Sequence, residues 1–265
     1  MKKRTFLSVF LLVWLSIGAS AQFYVGPKAS FQLYKTTFFD KDTRDSLDSK
    51  FKPGYNIGFF VKTPLKNNYE LVFEFAFTRR GRKILVDDGN MTHISRYNFI
   101  EAPLLLRRSF EAHIIKDLSS TFFVELGPNV TYWLGGNGSI VDVAQPIDYD
   151  IVFGPKTGDT TDEIMYIDNA NRVLFGLEFG VGFSIQTRKL ESITTELRYT
   201  HGHTFLGDPD SAELNNRILG FTDNMQSNYR VINLSFAYNF VIDVKQLKKG
   251  SSVSDKSTKG GKKRK

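Results

Sequence analysis

This sequence predicts an all-β protein, an eight-stranded antiparallel up-and-down transmembrane β-barrel. Three observations carry that prediction. Eight stretches alternate large apolar with small or polar residues at a period of two, which is a strand with one apolar face. The apolar face is crowded with Phe, Tyr and Leu, more volume than the inside of an eight-stranded barrel holds, whereas the opposite face is Gly, Ser, Asn and Glu. The connections alternate short and long, the habit of barrels that cross a membrane. A secreted soluble barrel would share the alternation, but its apolar face would have to fit inside.

The chain has 265 residues, enough for one barrel domain, with 24 Phe and 11 Tyr. Cysteine is absent, which removes disulfides, thiolate metal sites, cysteine catalysis and a lipidated cysteine anchor. Residues 1–21 read as a signal peptide: Lys2, Lys3 and Arg4, an apolar run over 6–17, then Ala19-Ser20-Ala21 before Gln22. No later run reaches the roughly 18 uncharged apolar residues of a membrane helix. The net charge of +7 sits at the ends. Residues 22–240 hold 23 Lys and Arg against 26 Asp and Glu, while 241–265 hold nine bases and two acids. A nucleic-acid-binding domain would carry its basic patch within the fold, so no nucleic-acid partner is expected.

The first strand is 23–33, with Phe23, Val25, Ala29, Phe31 and Leu33 on one face, followed by a polar loop over 35–52. The second is 54–63, with Tyr55, Ile57, Phe59 and Val61 apolar, and a tight turn follows at 64–68. The third begins at Tyr69: Leu71, Phe73, Phe75 and Phe77 point out, and Glu70, Glu74 and Thr78 point in. Beyond Arg80 the hairpin continues to a tip at Asp87-Asp88-Gly89-Asn90. The fourth strand, 97–108, returns with Glu101 inward, and a connection over 109–119 leads to the fifth, 121–134, with Glu125 inward. The loop 135–170 is the longest and holds seven acids and one base, Lys156. The sixth strand, 172–186, sets Phe175, Leu177, Phe179, Val181 and Phe183 against Gly176, Glu178, Gly180 and Gly182. A turn at 187–192 gives the seventh, 193–203, with Leu197 and Tyr199 out and Glu196 and Arg198 in. After the loop 204–227, the eighth, 229–242, alternates Ile232, Leu234, Phe236, Tyr238 and Phe240 with Asn233, Ser235, Ala237 and Asn239. The barrel domain is therefore 22–242.

Inward charges in a narrow lumen must pair or reach water. The expected polar network is Lys28, Lys62, Glu70, Glu74, Glu101, Glu125, Glu178, Glu196 and Arg198, with Arg79 or Arg107 as further partners. Its first reading is a structural plug; a gated ion path is the alternative. Pro27, Pro103 and Pro128 fall inside strands that have no free edge, so bulges are expected at Pro103 and Pro128.

Several segments together resemble the PorT-like outer-membrane β-barrel family of Bacteroidota. They are Phe73-Glu74-Phe75 with Arg80-Gly81, the run Y-N-F-I-E-A-P-L-L-L at 97–106, Leu126-Gly127-Pro128 with Leu134-Gly135-Gly136, G-L-E-F-G-V-G-F at 176–183, and Leu197-Arg198-Tyr199. The resemblance implies an outer-membrane barrel with outer-membrane lipid around the wall, and an even strand count returns both termini to the periplasm. Since the namesake belongs to the type IX secretion and gliding apparatus, it also implies a structural or accessory role in a cell-envelope assembly. The chain departs from the family pattern after Phe240, where the last strand usually ends.

No P-loop, H-E-x-x-H or G-x-S-x-G is present, so no catalytic residue, cofactor or metal is expected, and the protein reads as no enzyme. A rim lipid-modifying enzyme using His201 or His203 and a narrow solute or ion channel are the alternatives. The acids of 135–170 do not follow a calcium-loop spacing. The tail, 243–265, reads as a basic, disordered periplasmic segment. Its Lys248, Lys249, Lys262, Lys263, Arg264 and Lys265 are candidates for contact with an envelope protein or with peptidoglycan carboxylates.

Overall fold

The computed structural model of the chain describes residues 22–46, 48–86, 91–112, 119–141, 146–156, 163–188, 191–209, 211–214 and 222–243. Thirteen strands and a short helix follow in order: β1 (Gln22–Phe38), α1 (Lys41–Ser46), β2 (Asp48–Ser49), β3 (Lys52–Pro64), β4 (Tyr69–Val86), β5 (Met91–Ala112), β6 (Ser120–Val141), β7 (Pro146–Phe153), β8 (Ile164–Ile167), β9 (Val173–Arg188), β10 (Glu191–Gly202), β11 (Ala212–Leu214), β12 (Thr222–Asp223) and β13 (Ser227–Asp243). Eight of these close a ring in the order β1, β3, β4, β5, β6, β9, β10, β13, each antiparallel to the next, with β13 returning to β1. They correspond one to one with the eight expected strands.

The two ends of the ring differ. At one rim Gln22 lies opposite Asp243, and β3 turns into β4 through Asn67 (φ 59°) and Asn68 (φ 62°). Two successive left-handed residues make a turn whose twist matches the flanking strands, and Asn tolerates that conformation. At the other rim the long connections gather. We call these the turn rim and the loop rim.

The ring's facing follows the alternation. Phe31, Phe59, Phe175, Phe179 and Phe236 are each more than half exposed on the outside, whereas Glu125 and Glu178 are 2% exposed inside. A water-soluble fold would not place its largest apolar side chains this way; a wall facing hydrocarbon would. The inner face has room only because it is lean. A Cβ on Gly182 would come within 2.2 Å of the Phe123 ring, and one on Gly180 within 2.8 Å of Glu125 Oε1.

Three expectations are corrected. The stretch 135–170 is not one loop: β6 runs to Val141, and β7 and β8 lie within it; β11 and β12 likewise occupy part of 204–227. Second, no residue is inserted at Pro103 or Pro128. Phe73↔Leu104 and Ala76↔Glu101 keep one register across Pro103, as do Pro103↔Asn129 and Leu106↔Leu126 across Pro128. The missing N–H groups interrupt the ladder for two pairs instead of shifting it. The bulge falls at Leu134, between Asn98↔Gly135 and Phe99↔Trp133, where β6 leaves β9 and takes up β7. That is a barrel rim, where bulges re-aim strands. Third, Arg79 is not a lumen partner: it shares the outward parity of Phe75 and Phe77.

Above the loop rim, β4, β5 and β6 continue as a sheet extended by β7, β8, β11 and β12, with β2 on the outer side of β4. This sheet encloses an apolar cluster that includes Tyr97, Phe99, Trp133, Met165, Ile167 and Tyr229. The Trp133 ring lies 5.0 Å from Tyr97 and 4.9 Å from Phe153, both edge-on.

Candidate functional site

The lumen is filled by side chains from all around the ring. Arg198 on β10 stands at its centre. Its Nη1 donates to Glu74 Oε2 (3.0 Å) and Glu178 Oε2 (2.9 Å), its Nη2 to Glu74 Oε1 (2.9 Å) and Glu196 Oε1 (2.7 Å), and its Nε to Glu125 Oε1 (3.0 Å). One guanidinium therefore ties β4, β6, β9 and β10. Its planar fork of five donors suits it to this, where lysine would offer one point charge. Lys28 on β1 donates to both oxygens of Glu74 (2.8 and 2.9 Å) and pairs with Glu196. Arg107 on β5 donates to Glu125 Oε2 through Nε (2.9 Å) and Nη2 (2.8 Å), reaches Glu196 at 3.1 Å, and stacks 3.7 Å from the Phe123 ring.

Two smaller groups flank this seam. Toward the turn rim, Lys62 pairs with Glu70 at 3.2 Å and lies over Tyr24. Toward the loop rim, Glu101 pairs with Arg80 at 2.6 Å and accepts from Thr78 (2.8 Å) and Asn56 (3.1 Å). Glu178 accepts from Asn129 (2.7 Å) and Thr200 (3.2 Å). All nine network residues expected from the sequence thus meet inside the ring. Arg107 joins them, and Arg80 is an addition that the alternation from Glu74 through Thr78 already implied. Five cations face six carboxylates, so nearly every charge has its opposite.

Below the seam the turn rim opens into a cup of about 440 Å³ lined by Tyr24, Lys62, Glu70, Arg107, Phe123 and Glu191 among others. Beside Lys28, Glu74, Glu178 and Arg198 the free space shrinks to about 10 Å³. That holds about one water. Above the seam sits the aromatic cluster, led by Tyr97, Phe99 and Trp133.

A second cluster, unforeseen from the sequence, lies in the sheet above the loop rim. Arg82 on β4 pairs with Asp223 on β12 and donates to Asn224 O at 3.0 Å. His93 on β5 lies 3.6 Å from Asp223 through Nδ1, and its Nε2 meets the Tyr149 hydroxyl. Ser95 Oγ is 3.1 Å from both His93 Nε2 and Tyr149 Oη. Burial pushes the Tyr149 phenol above its ordinary range, so it remains a neutral hydroxyl. Hydroxyl, imidazole and carboxylate stand here in the order of a nucleophilic relay. Yet Ser95 and His93 are sealed from solvent, at 0% and 1% exposure. The cluster is a latch that joins the free end of the extended sheet back to β4 and β5. His201 and His203 sit apart from both clusters, exposed at the loop rim.

The lysines and arginine expected in the tail, Lys248, Lys249, Lys262, Lys263, Arg264 and Lys265, lie outside the described residues, as does the 1–21 segment. No group of His, Asp and Glu arranged for a metal occurs among the described residues.

Comparison with known proteins settles the family. Residues 19–204 match the family described as outer membrane protein beta-barrel domain. The chain belongs to that family. It is an outer-membrane β-barrel. Solved structures share the architecture at low identity. The outer membrane protein OprG from Pseudomonas aeruginosa superposes with a TM-score of 0.50 at 8% identity, over 84% of this chain and 96% of that one. Neisserial surface protein A gives 0.39 at 11% identity, over 82% and 96%. The attachment invasion locus protein Ail of Yersinia pestis gives 0.34 at 12% identity, over 82% and 98%. Such identities speak for the fold alone. No curated protein matches the chain in sequence.

Proposed function

We propose that this barrel is a non-enzymatic, PorT-like structural or accessory component of a cell-envelope assembly, such as the type IX secretion or gliding apparatus. The observation that carries this reading is the filled lumen. A six-strand ion-pair seam and an aromatic cluster occupy the space through which a solute would pass, which leaves the two rims and the tail as working surfaces. In this reading the long connections face outward and both termini face the periplasm, as is usual when turns are short on one side and strands are even in number. The tail, with Lys248, Lys249, Lys262, Lys263, Arg264 and Lys265, then reaches an acidic envelope protein or peptidoglycan.

The test is a crosslink and pulldown from intact envelopes, with a tag in the 154–163 connection. Recovery of secretion or motility subunits is expected, and their loss on deleting 244–265 would assign the contact to the tail. Recovery of only lipid and bulk porins would overturn the accessory role. The second reading, a narrow solute or ion path, has the open turn-rim cup in its favour, and conductance separates it.

A further inference from the structure

We propose that the loop rim carries a phosphate-binding girdle, in which Lys35, Arg79, Arg172 and Arg230 take the phosphate groups of the lipid leaflet on that side. The inference rests on the orientation proposed above only for which leaflet that is.

The four cations share a position on the outer wall. Lys35, Arg79 and Arg230 each lie one pleat beyond a lipid-facing apolar residue of the same strand and parity: Leu33 on β1, Phe77 on β4 and Ile232 on β13. Lys35 and Arg230 are direct register partners, so two strands present adjacent positive charges. Arg172, just before β9, lies between the outward ring of Tyr132 (4.8 Å) and the ring of Phe153 (4.6 Å); its Nε donates to Trp133 O (3.2 Å), which leaves its two terminal nitrogens for phosphate. Two of the others also have aromatic company: Lys35 lies over Phe51 at 5.9 Å, and Arg79 pairs in register with the outward Tyr55. A cation one pleat above the hydrocarbon, its stem on an aromatic ring, holds its head in the headgroup layer.

Two further observations favour phosphate over mere solvation. None of the four makes an ion pair among the described residues, and the outward positions of the ring strands at this rim carry no acid. The turn rim is different. Among the described residues, the outward strand positions there offer one base, Arg108, already stacked on Tyr69 and Phe110, with Lys66 exposed on the turn between β3 and β4; the acid Glu191, at the edge of the cup, is bound to the Tyr238 hydroxyl. Three of the four are arginines, whose fork binds phosphate in a bidentate manner. Arg96, one pleat above Asn98, is left out, because it lines a groove with Asp148, Asp150 and Glu163.

The experiment uses the full chain folded in neutral detergent micelles, where membrane orientation plays no part. Micelles are doped with bisphosphorylated lipid A or with the same lipid dephosphorylated, and lipid retained per barrel after detergent washing is counted by mass spectrometry. The wild type is expected to prefer the phosphorylated lipid by at least about tenfold, given the gain each basic residue brings at an anionic surface. K35Q/R79Q/R172Q/R230Q should lose that preference, R79K/R172K/R230K should keep most of it, and R108Q should keep all of it. Equal retention of the two lipids by the wild type, or an undiminished preference in the quadruple variant, would overturn the girdle. Heat-dependent gel mobility reports folding. If the quadruple variant does not fold, K35Q/R230Q and R79Q/R172Q carry the test, and an unchanged preference in both would overturn it. Protease access to the loop tag in whole cells tests the orientation separately.

Discussion

Arg198 is the residue on which the lumen depends, because four carboxylates from four strands share its guanidinium. Replacing it by leucine would leave Glu74, Glu125, Glu178 and Glu196 packed together with only Lys28 and Arg107 to offset them. Breaking a buried ion pair from one side typically costs about 3–5 kcal/mol. Arg198→Leu should therefore lower the unfolding free energy of the lipid-embedded barrel, read from its urea transition, by that order, and Arg198→Lys should lower it less. A loss near zero for Arg198→Leu would mean that water already solvates the seam. Gly182 gives a prediction from packing instead of charge. A valine there would collide with the Phe123 ring and the Glu196 Cβ, and overpacking costs about 1–3 kcal/mol. The same urea measurement should show Gly182→Val destabilised and Ser184→Val, nearer the open cup, tolerated.

At the scale of elements, much was legible before any coordinates. Period-two runs placed all eight ring strands and the facing of Glu70, Glu74, Glu101, Glu125, Glu178 and Glu196. The hairpin of β4 and β5 was expected to run beyond Arg80, but the facing of its upper part was hidden. The polar run Arg79-Arg80-Gly81-Arg82-Lys83 breaks the apolar rhythm, although Arg80 and Arg82 keep the inward parity of Glu74. For the same reason His93 and Ser95, in step with Glu101, were not read as interior. β8, β11 and β12 were missed because they are only two to four residues long, and β7 because its acids Asp148 and Asp150 made it read as part of an acidic loop. Proline misled the register: a lost N–H can be absorbed as a local gap without an inserted residue. The latch is the element-scale prediction. Arg82→Ala should release the β11–β12 segment, so that limited proteolysis from outside cuts within 203–226 while the heat-dependent mobility of the barrel stays unchanged. Protection equal to the wild type would show that backbone contacts such as Phe39 N to Gln226 O suffice.

For the whole molecule, the account is a barrel with an apolar coat, a charged and largely paired filling, and rims of different build. The coat makes its own prediction. Phe175→Arg, on the lipid face, should cost up to about 2–4 kcal/mol, the range for a basic side chain near the bilayer midplane, less as the position approaches the interface. The filling makes the central one, because the role proposed in envelope assembly takes the lumen to be closed. The most direct measurement is the conductance of the purified full chain in planar bilayers. A closed barrel is predicted: no steady single-channel current in the wild type, with openings appearing once Arg198→Ala breaks the seam. A stable, ion-selective conductance from the wild type would contradict the account and make the lumen the working site.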